Sequence, residues 1–419
     1  MNWEIISADN QLTIGSSCTT INKNVYIIGG QNQQTNKSSN YLNIASYSLD
    51  KCDYITNHIN SNGISNRRNH STIAFDDDLI VMGGYNTSTI GNDIFPEMVT
   101  CKKTAFGLKC HVETVEQLNR FGHSCNIFGD GNRAIIFGGN GINSSVMEDM
   151  WIYRHFTSES RQAKEEEIKL ATAEGDEPDY SSIQSWVAVE LEPLPASTPV
   201  DTPISKPSGG RSFHSAVVCG EQNQYLVVFG GRTAGTSVIT IPPATSDDSE
   251  VHVTVPVTVT TNEVWVLDLT AYCEDVPLPP PEVLDAKGKK IPPKKDAPGP
   301  VKPTAAWFKL TDEGGVFTGR SHHTVFNTMK TQPSAVGTVA IVGGLDQYNS
   351  PYDIYTNTTV SHGSGFGSMF RSMSADGEKH NPNTTLNINT NTTPTASGIL
   401  TVDIIKISNT EYSLKSSDL

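Results

Sequence analysis

The chain reads as an all-β protein built from one repeated unit, and three observations predict it. Five short runs of β-branched and aromatic residues each stop at a glycine pair. They are Val25–Ile28 before Gly29-Gly30, Leu79–Met82 before Gly83-Gly84, Ala134–Phe137 before Gly138-Gly139, Tyr225–Phe229 before Gly230-Gly231, and Val339–Val342 before Gly343-Gly344. Such residues fit a pleated strand, and paired glycines supply positive φ where it ends. Four of the runs follow the pattern Arg-x-x-His-Ser/Thr, at Arg67–Ser71, Arg120–Ser124, Arg211–Ser215 and Arg320–Thr324. The first copy has Gly15-Ser16-Ser17-Cys18-Thr19 in that place. Finally, 34 Gly and 23 Pro in 419 residues describe a chain rich in turns and poor in helix.

The first four units continue past the glycine pair into an aromatic strand. It is clearest at Asp149-Met150-Trp151-Ile152-Tyr153 in unit three and Glu263–Asp268 in unit four. Weaker versions lie at Tyr41–Asp50 in unit one and Asp93-Ile94-Phe95 in unit two. A fourth strand carries a Trp at Ser185–Val189 and Ala306–Leu310. Trp3, in Asn2–Ile6, looks like such a fourth strand standing alone at the start of the chain.

This order of Arg-x-x-His, apolar strand, Gly-Gly, aromatic strand and Trp strand resembles the Kelch repeat. In that family each unit is a four-stranded antiparallel blade of a β-propeller, with a period of about 50 residues. The glycine pairs here stand 54 and 55 residues apart, then 92 and 113. The resemblance implies one propeller over residues 1–419 with insertions at about 155–184, 232–262, 274–304 and 346–396. Without the insertions roughly 280 residues remain, enough for five blades. The alternatives are a sixth, degenerate blade within 346–415 or an incomplete ring closed by a partner. A blade cannot cover both its faces alone, so blades stack and the last must lock to the first. The Trp3 strand is expected to form the outer strand of the final blade, beside a strand from Gly398–Ile407.

The insertions differ in character. Residues 159–180 hold eight acidic against three basic residues and read as an acidic helix followed by a polar spacer. The alternation in Val251–Thr261 predicts an extra hairpin projecting from blade four, with Pro256 at an edge. Residues 285–303 hold six Lys against two Asp. This extended, proline-rich stretch, with Lys287, Lys289, Lys290, Lys294 and Lys295, is the one basic patch and a candidate docking segment, set against a plain linker.

The resemblance places the Arg-x-x-His segment at the start of the innermost strand of each blade. Arg67, Arg120, Arg211 and Arg320 would then ring one mouth of the channel, with His70, His123, His214 and His323 beside them. A ring of guanidinium forks suits an acidic peptide. Repetition in every unit favours the simpler role of bonding neighbouring backbone.

Charge and motifs narrow the function. A net charge of −15 argues against nucleic acid as the main partner. No eighteen-residue apolar run and no leader segment are visible, so no membrane insertion is expected. The seven cysteines are odd in number and lack a CxxC pair; Cys18, Cys125 and Cys219 read as small buried apolar residues. The cytoplasm is the expected location, with cytoskeletal association as a variant. Galactose oxidase-like relatives are secreted copper enzymes, and specifier-type relatives use Glu-x-x-x-Asp-x-x-x-His, which this chain lacks. No phosphate loop, GxSxG elbow or HExxH helix is present either. The expectation is a non-catalytic, cofactor-free scaffold or adaptor that binds other proteins. The alternative is a propeller enzyme or a small-ligand, carbohydrate-type binder acting at the channel mouth.

Overall fold

A computed structural model describes residues 13–32, 41–50, 53–55, 64–86, 93–104, 107–142, 145–172, 178, 180–192, 206–207, 209–241, 251–273, 302–312, 317–328, 335–346, 400–408 and 411–416. They form five small sheets set in a ring, the arrangement of a five-blade β-propeller. Blade 1 runs Ser17–Ile21, Asn24–Ile28, Ile44–Ser48 and Asp53–Ile55 from inside to outside. Blade 2 runs Ser71–Phe75, Asp78–Met82, Glu97–Thr104 and Gly107–Thr114. Blade 3 is Ser124–Phe128, Arg133–Phe137, Met150–Arg154 and Trp186–Ala188. Blade 4 is Ser215–Cys219, Tyr225–Phe229, Val264–Asp268 and Ala306–Lys309. Blade 5 is Thr324–Thr328, Ala335–Val342, Leu400–Ser408 and Glu411–Ser416.

The second strand of each blade explains why the sequence shows unbroken apolar runs. Successive side chains of a strand point to opposite faces, and in a propeller both faces meet a neighbouring blade. Leu79 and Val81 pack with Ile28 and Ile44 of blade 1, whereas Ile80 and Met82 pack with Ala134 and Ile136 of blade 3. Ile135 and Phe137 turn to Leu226, Val228 and Trp307 of blade 4, and Val227 and Phe229 turn to Val339 and Ile341 of blade 5. Four inter-blade cores thus join blades 1 through 5 in order.

Three expectations change. In blade 2 the third strand begins at Glu97, not at Asp93; Asp93-Ile94 pairs with Tyr85-Asn86 in a separate two-stranded piece. The outer strand of blade 5 is Glu411–Ser416, which folds back on Leu400–Ser408. Thr311-Asp312, continuing from the last strand of blade 4, adds to it in parallel. Trp3, expected at that position, lies outside the described residues. The cysteines also depart from a uniform apolar role. Cys101 and Cys110 face each other across the outer hairpin of blade 2 and form a disulfide, while Cys18 is exposed.

Two insertions are seen in part. Ser158–Ala171 is helical, its first turn capped by Thr157, whose hydroxyl oxygen accepts from the Ser160 N–H at 3.1 Å. Arg232–Ile241 and Val251–Thr260 form a two-stranded ribbon rising from blade 4. Among the described residues no helix is long and apolar enough to cross a membrane.

Candidate functional site

The repeated motif builds the joint between blades. The carbonyls of Arg67, Arg120, Arg211 and Arg320 accept hydrogen bonds from the second glycine of the preceding pair, Gly30, Gly84, Gly139 and Gly231, at 2.7–2.9 Å. The first glycine of the pair leaves room for the same segment. A Cβ on Gly138 would stand 2.2 Å from the Arg211 carbonyl oxygen, and one on Gly83 would stand 2.6 Å from that of Arg120. The histidine that follows fills the remaining space: the Gly29 and Gly138 positions face the rings of His70 and His214.

The four arginine side chains turn inward, at 0–1% exposure. Arg120 donates to both carboxylate oxygens of Asp149, at 2.8 and 2.7 Å, and to the Gly138 carbonyl. Arg67 bonds Glu97 at 2.6 Å and the Gly83 carbonyl, and Arg211 bonds Glu263. Arg320 bonds the Thr318 hydroxyl and the Gly343 carbonyl. The acid sits two residues before the Trp of the aromatic strand, and the indole N–H of Trp151 and Trp265 donates to it as well. Burial opposes ionisation of Asp149 and Glu263. For Asp149 the Arg120 hydrogen bond and charge overcome this; for Glu263 the bonds from Lys309 and Trp265 lead, with the Arg211 charge behind them. Both carboxyls are held below their ordinary range. Blade 1 lacks both halves of the pair: Gly15 matches Asn69 and not Arg67, which puts Thr13 at the arginine position, two residues earlier than expected, and Asn43 stands before its third strand.

These arginines therefore do not present forks at an open mouth. Arg67, Arg120 and Arg211 spend their planar donors on a carboxylate and on backbone carbonyls within the blade, and Arg320 on the Thr318 hydroxyl and the Gly343 carbonyl. His70, His123, His214 and His323 are buried too. Desolvation first, then the adjacent arginine charge, pushes His70 and His214 down to about 3 and His123 and His323 well below the ordinary value. Among the described residues no group of three His, Cys, Asp or Glu is placed to hold a metal ion. Lys287, Lys289, Lys290, Lys294 and Lys295 lie outside the described residues.

Of the residues between Arg and His, Arg68, Asn69, Phe121 and Phe213 are half-buried and His322 is exposed, whereas Gly122, Ser212 and Ser321 are buried. The residue before each histidine takes a left-handed conformation: Asn69 φ 52°, Gly122 φ 64°, Phe213 φ 51° and His322 φ 57°, with Gly15 at 72° in blade 1. Their backbones form a chain round the axis, each N–H donating to the carbonyl of the blade before, from His322 to Phe213, Gly122, Asn69 and Gly15, at 2.8–2.9 Å. A non-glycine residue held this way tilts its side chain out of the strand direction. On that rim Tyr85 contacts Phe121 with ring centres 4.4 Å apart, Phe121 meets Phe213 edge-on at 5.9 Å, and Phe213 stacks on His322 at 4.1 Å. Arg68 lies over the Tyr85 ring and Arg232 near the Phe213 ring. The result is a half-buried aromatic arc across blades 2 to 5, bracketed by two guanidinium groups. In the sequence Arg68, Phe121, Phe213 and His322 occupy the variable positions of Arg-x-x-His, and Tyr85 and Arg232 directly follow a glycine pair.

No family model and no curated protein matches this chain. A solved structure described as "Structure of YjhT" is similar over 97% of this chain and 84% of its own, at 9% identity and a TM-score of 0.46. A likeness of that degree says nothing about what this chain binds.

Proposed function

We propose that this five-blade propeller is a Kelch-type, non-catalytic adaptor that binds other proteins through its axial rim. The observation that carries the reading is the aromatic arc Tyr85–Phe121–Phe213–His322 with Arg68 and Arg232 at its margins. Aromatic rings give large contact area at little entropic cost, and arginine adds stacking and pairing with acids, so such patches make interface hot spots. An exposed partner segment with an apolar or aromatic residue beside an acidic one fits this surface.

The test is affinity capture with wild type and with Phe121→Ala/Phe213→Ala, both shown folded by their thermal melts. Loss of the captured protein only in the double variant supports the reading; identical capture sinks it. Deleting 277–303 in parallel tests the lysine segment separately. A second reading rests on the same arc, because stacked aromatics also suit sugar rings. Binding to a glycan array, abolished by the same double variant, would favour it.

A further inference from the structure

The ribbon on blade 4 has two edges that are not alike. Arg232 exchanges both its backbone hydrogen bonds with Ser212, at 2.7 and 2.9 Å, so its N–H and C=O point away from the second ribbon strand. The Gly231 carbonyl instead accepts from the Thr261 N–H. Antiparallel pairs alternate between hydrogen-bonded and open, which fixes the whole ladder. Odd-numbered residues of Arg232–Ile241 bond across the ribbon, and Ala234, Thr236, Val238 and Thr240 direct their N–H and C=O outward. Gly209 flanks Ala234, and among the described residues no strand pairs with the outward edge from Thr236 onward. On the other strand the outward positions include Pro256, opposite Thr236. Proline has no N–H, so the ladder loses nothing there, while the outer edge loses its central donor.

The ribbon thus offers one competent edge. It carries no charged residue from Thr233 to Ile241, so two copies of this edge meet with no like charges face to face. A two-stranded ribbon alone is marginal in water, and three or more strands are needed for independent stability. Val253 and Val259 of this ribbon remain 38% and 40% exposed.

We infer that this edge pairs with the same edge of a second copy of the chain, giving a twofold-symmetric dimer with a four-stranded sheet. The symmetric register places Val238 on the dyad and Thr236 opposite Thr240 of the other copy. Each such pair exchanges two hydrogen bonds, about six in all. Both outer edges of that sheet then carry Pro256, so growth stops at two chains and does not continue into a fibre.

Light scattering on a size-exclusion column tests this with the full chain. Wild type is expected at twice the 45.4 kDa chain mass. Val238→Pro removes only an outward N–H, so it is expected at the monomer mass with an unchanged melt. Val238→Lys, which sets like charges face to face on the dyad, checks the same point should the proline variant fail to fold. Pro256→Val restores the blocked edge and is expected to give assemblies larger than two. A monomeric wild type at the highest soluble concentration, or a dimer that persists in both Val238 variants, overturns the inference.

Discussion

At the scale of single residues, the repeated Arg and His are joints and not presented groups, and two predictions follow from their burial. The four buried histidines have folded-state values far below the ordinary 6.5, whereas in the unfolded chain they are ordinary. The unfolded state therefore binds more protons, and stability is full above about pH 6.5 and falls as pH drops toward 3. The expected slope in that window is about 1 kcal/mol per pH unit for each histidine. Urea unfolding at pH 7 and pH 5 measures it, and a flat profile would mean the rings are not buried neutral. The glycine pair makes the second prediction. Gly138 combines φ 65° with the 2.2 Å approach to Arg211, whereas Gly131, also at positive φ, has nothing within 4 Å. Gly138→Ala is expected to cost more than about 2 kcal/mol and Gly131→Ala about 1 kcal/mol, read as a difference in urea midpoints.

At the scale of elements, legibility follows from whether the signal is local. Strands with a glycine pair at one end were readable because strand residues and glycines are both local cues, and the 232–260 ribbon was readable from its alternation. Glu97 is harder to read: its role as strand start goes with its pairing to Arg67, thirty residues away, and the aromatic Phe95 is the stronger local cue. The outer strand of blade 5 is hard to read for a similar reason, since Glu411–Ser416 carries no Trp and its place depends on pairing with Leu400–Ser408. Spacing could not show the disulfide either, because Cys101 and Cys110 meet only through hairpin register. That bond belongs to an oxidising setting, in tension with a cytoplasmic location. Closing a short loop, it is expected to contribute about 2–3 kcal/mol. Thermal melts with and without reductant measure this, and alkylation with mass spectrometry reports the state of the pair. Equal melts of the oxidised and reduced protein would contradict it.

At the scale of the whole molecule, the same residues that make the repeat legible are the ones that hold the blades together, and so they do not point to the aromatic rim. A motif kept in four blades answers a need that recurs four times, here the join between glycine pair and arginine carbonyl. The proposed binding surface is built from what the motif leaves variable and from residues just after the glycine pairs, and a single sequence gives no reason to single out Phe121 or Phe213. Arg120 and Phe121 are adjacent in the chain yet belong to these two different roles. Their side chains diverge, one buried against Asp149 and the other on the rim between Tyr85 and Phe213. The most direct test is the urea midpoint of Arg120→Ala against that of Phe121→Ala. Arg120→Ala strips a buried, bidentate pair and is expected to lose about 3 kcal/mol. Phe121→Ala is expected to lose less than half as much. Equal losses, or a larger loss from Phe121, would contradict the division between joint and rim.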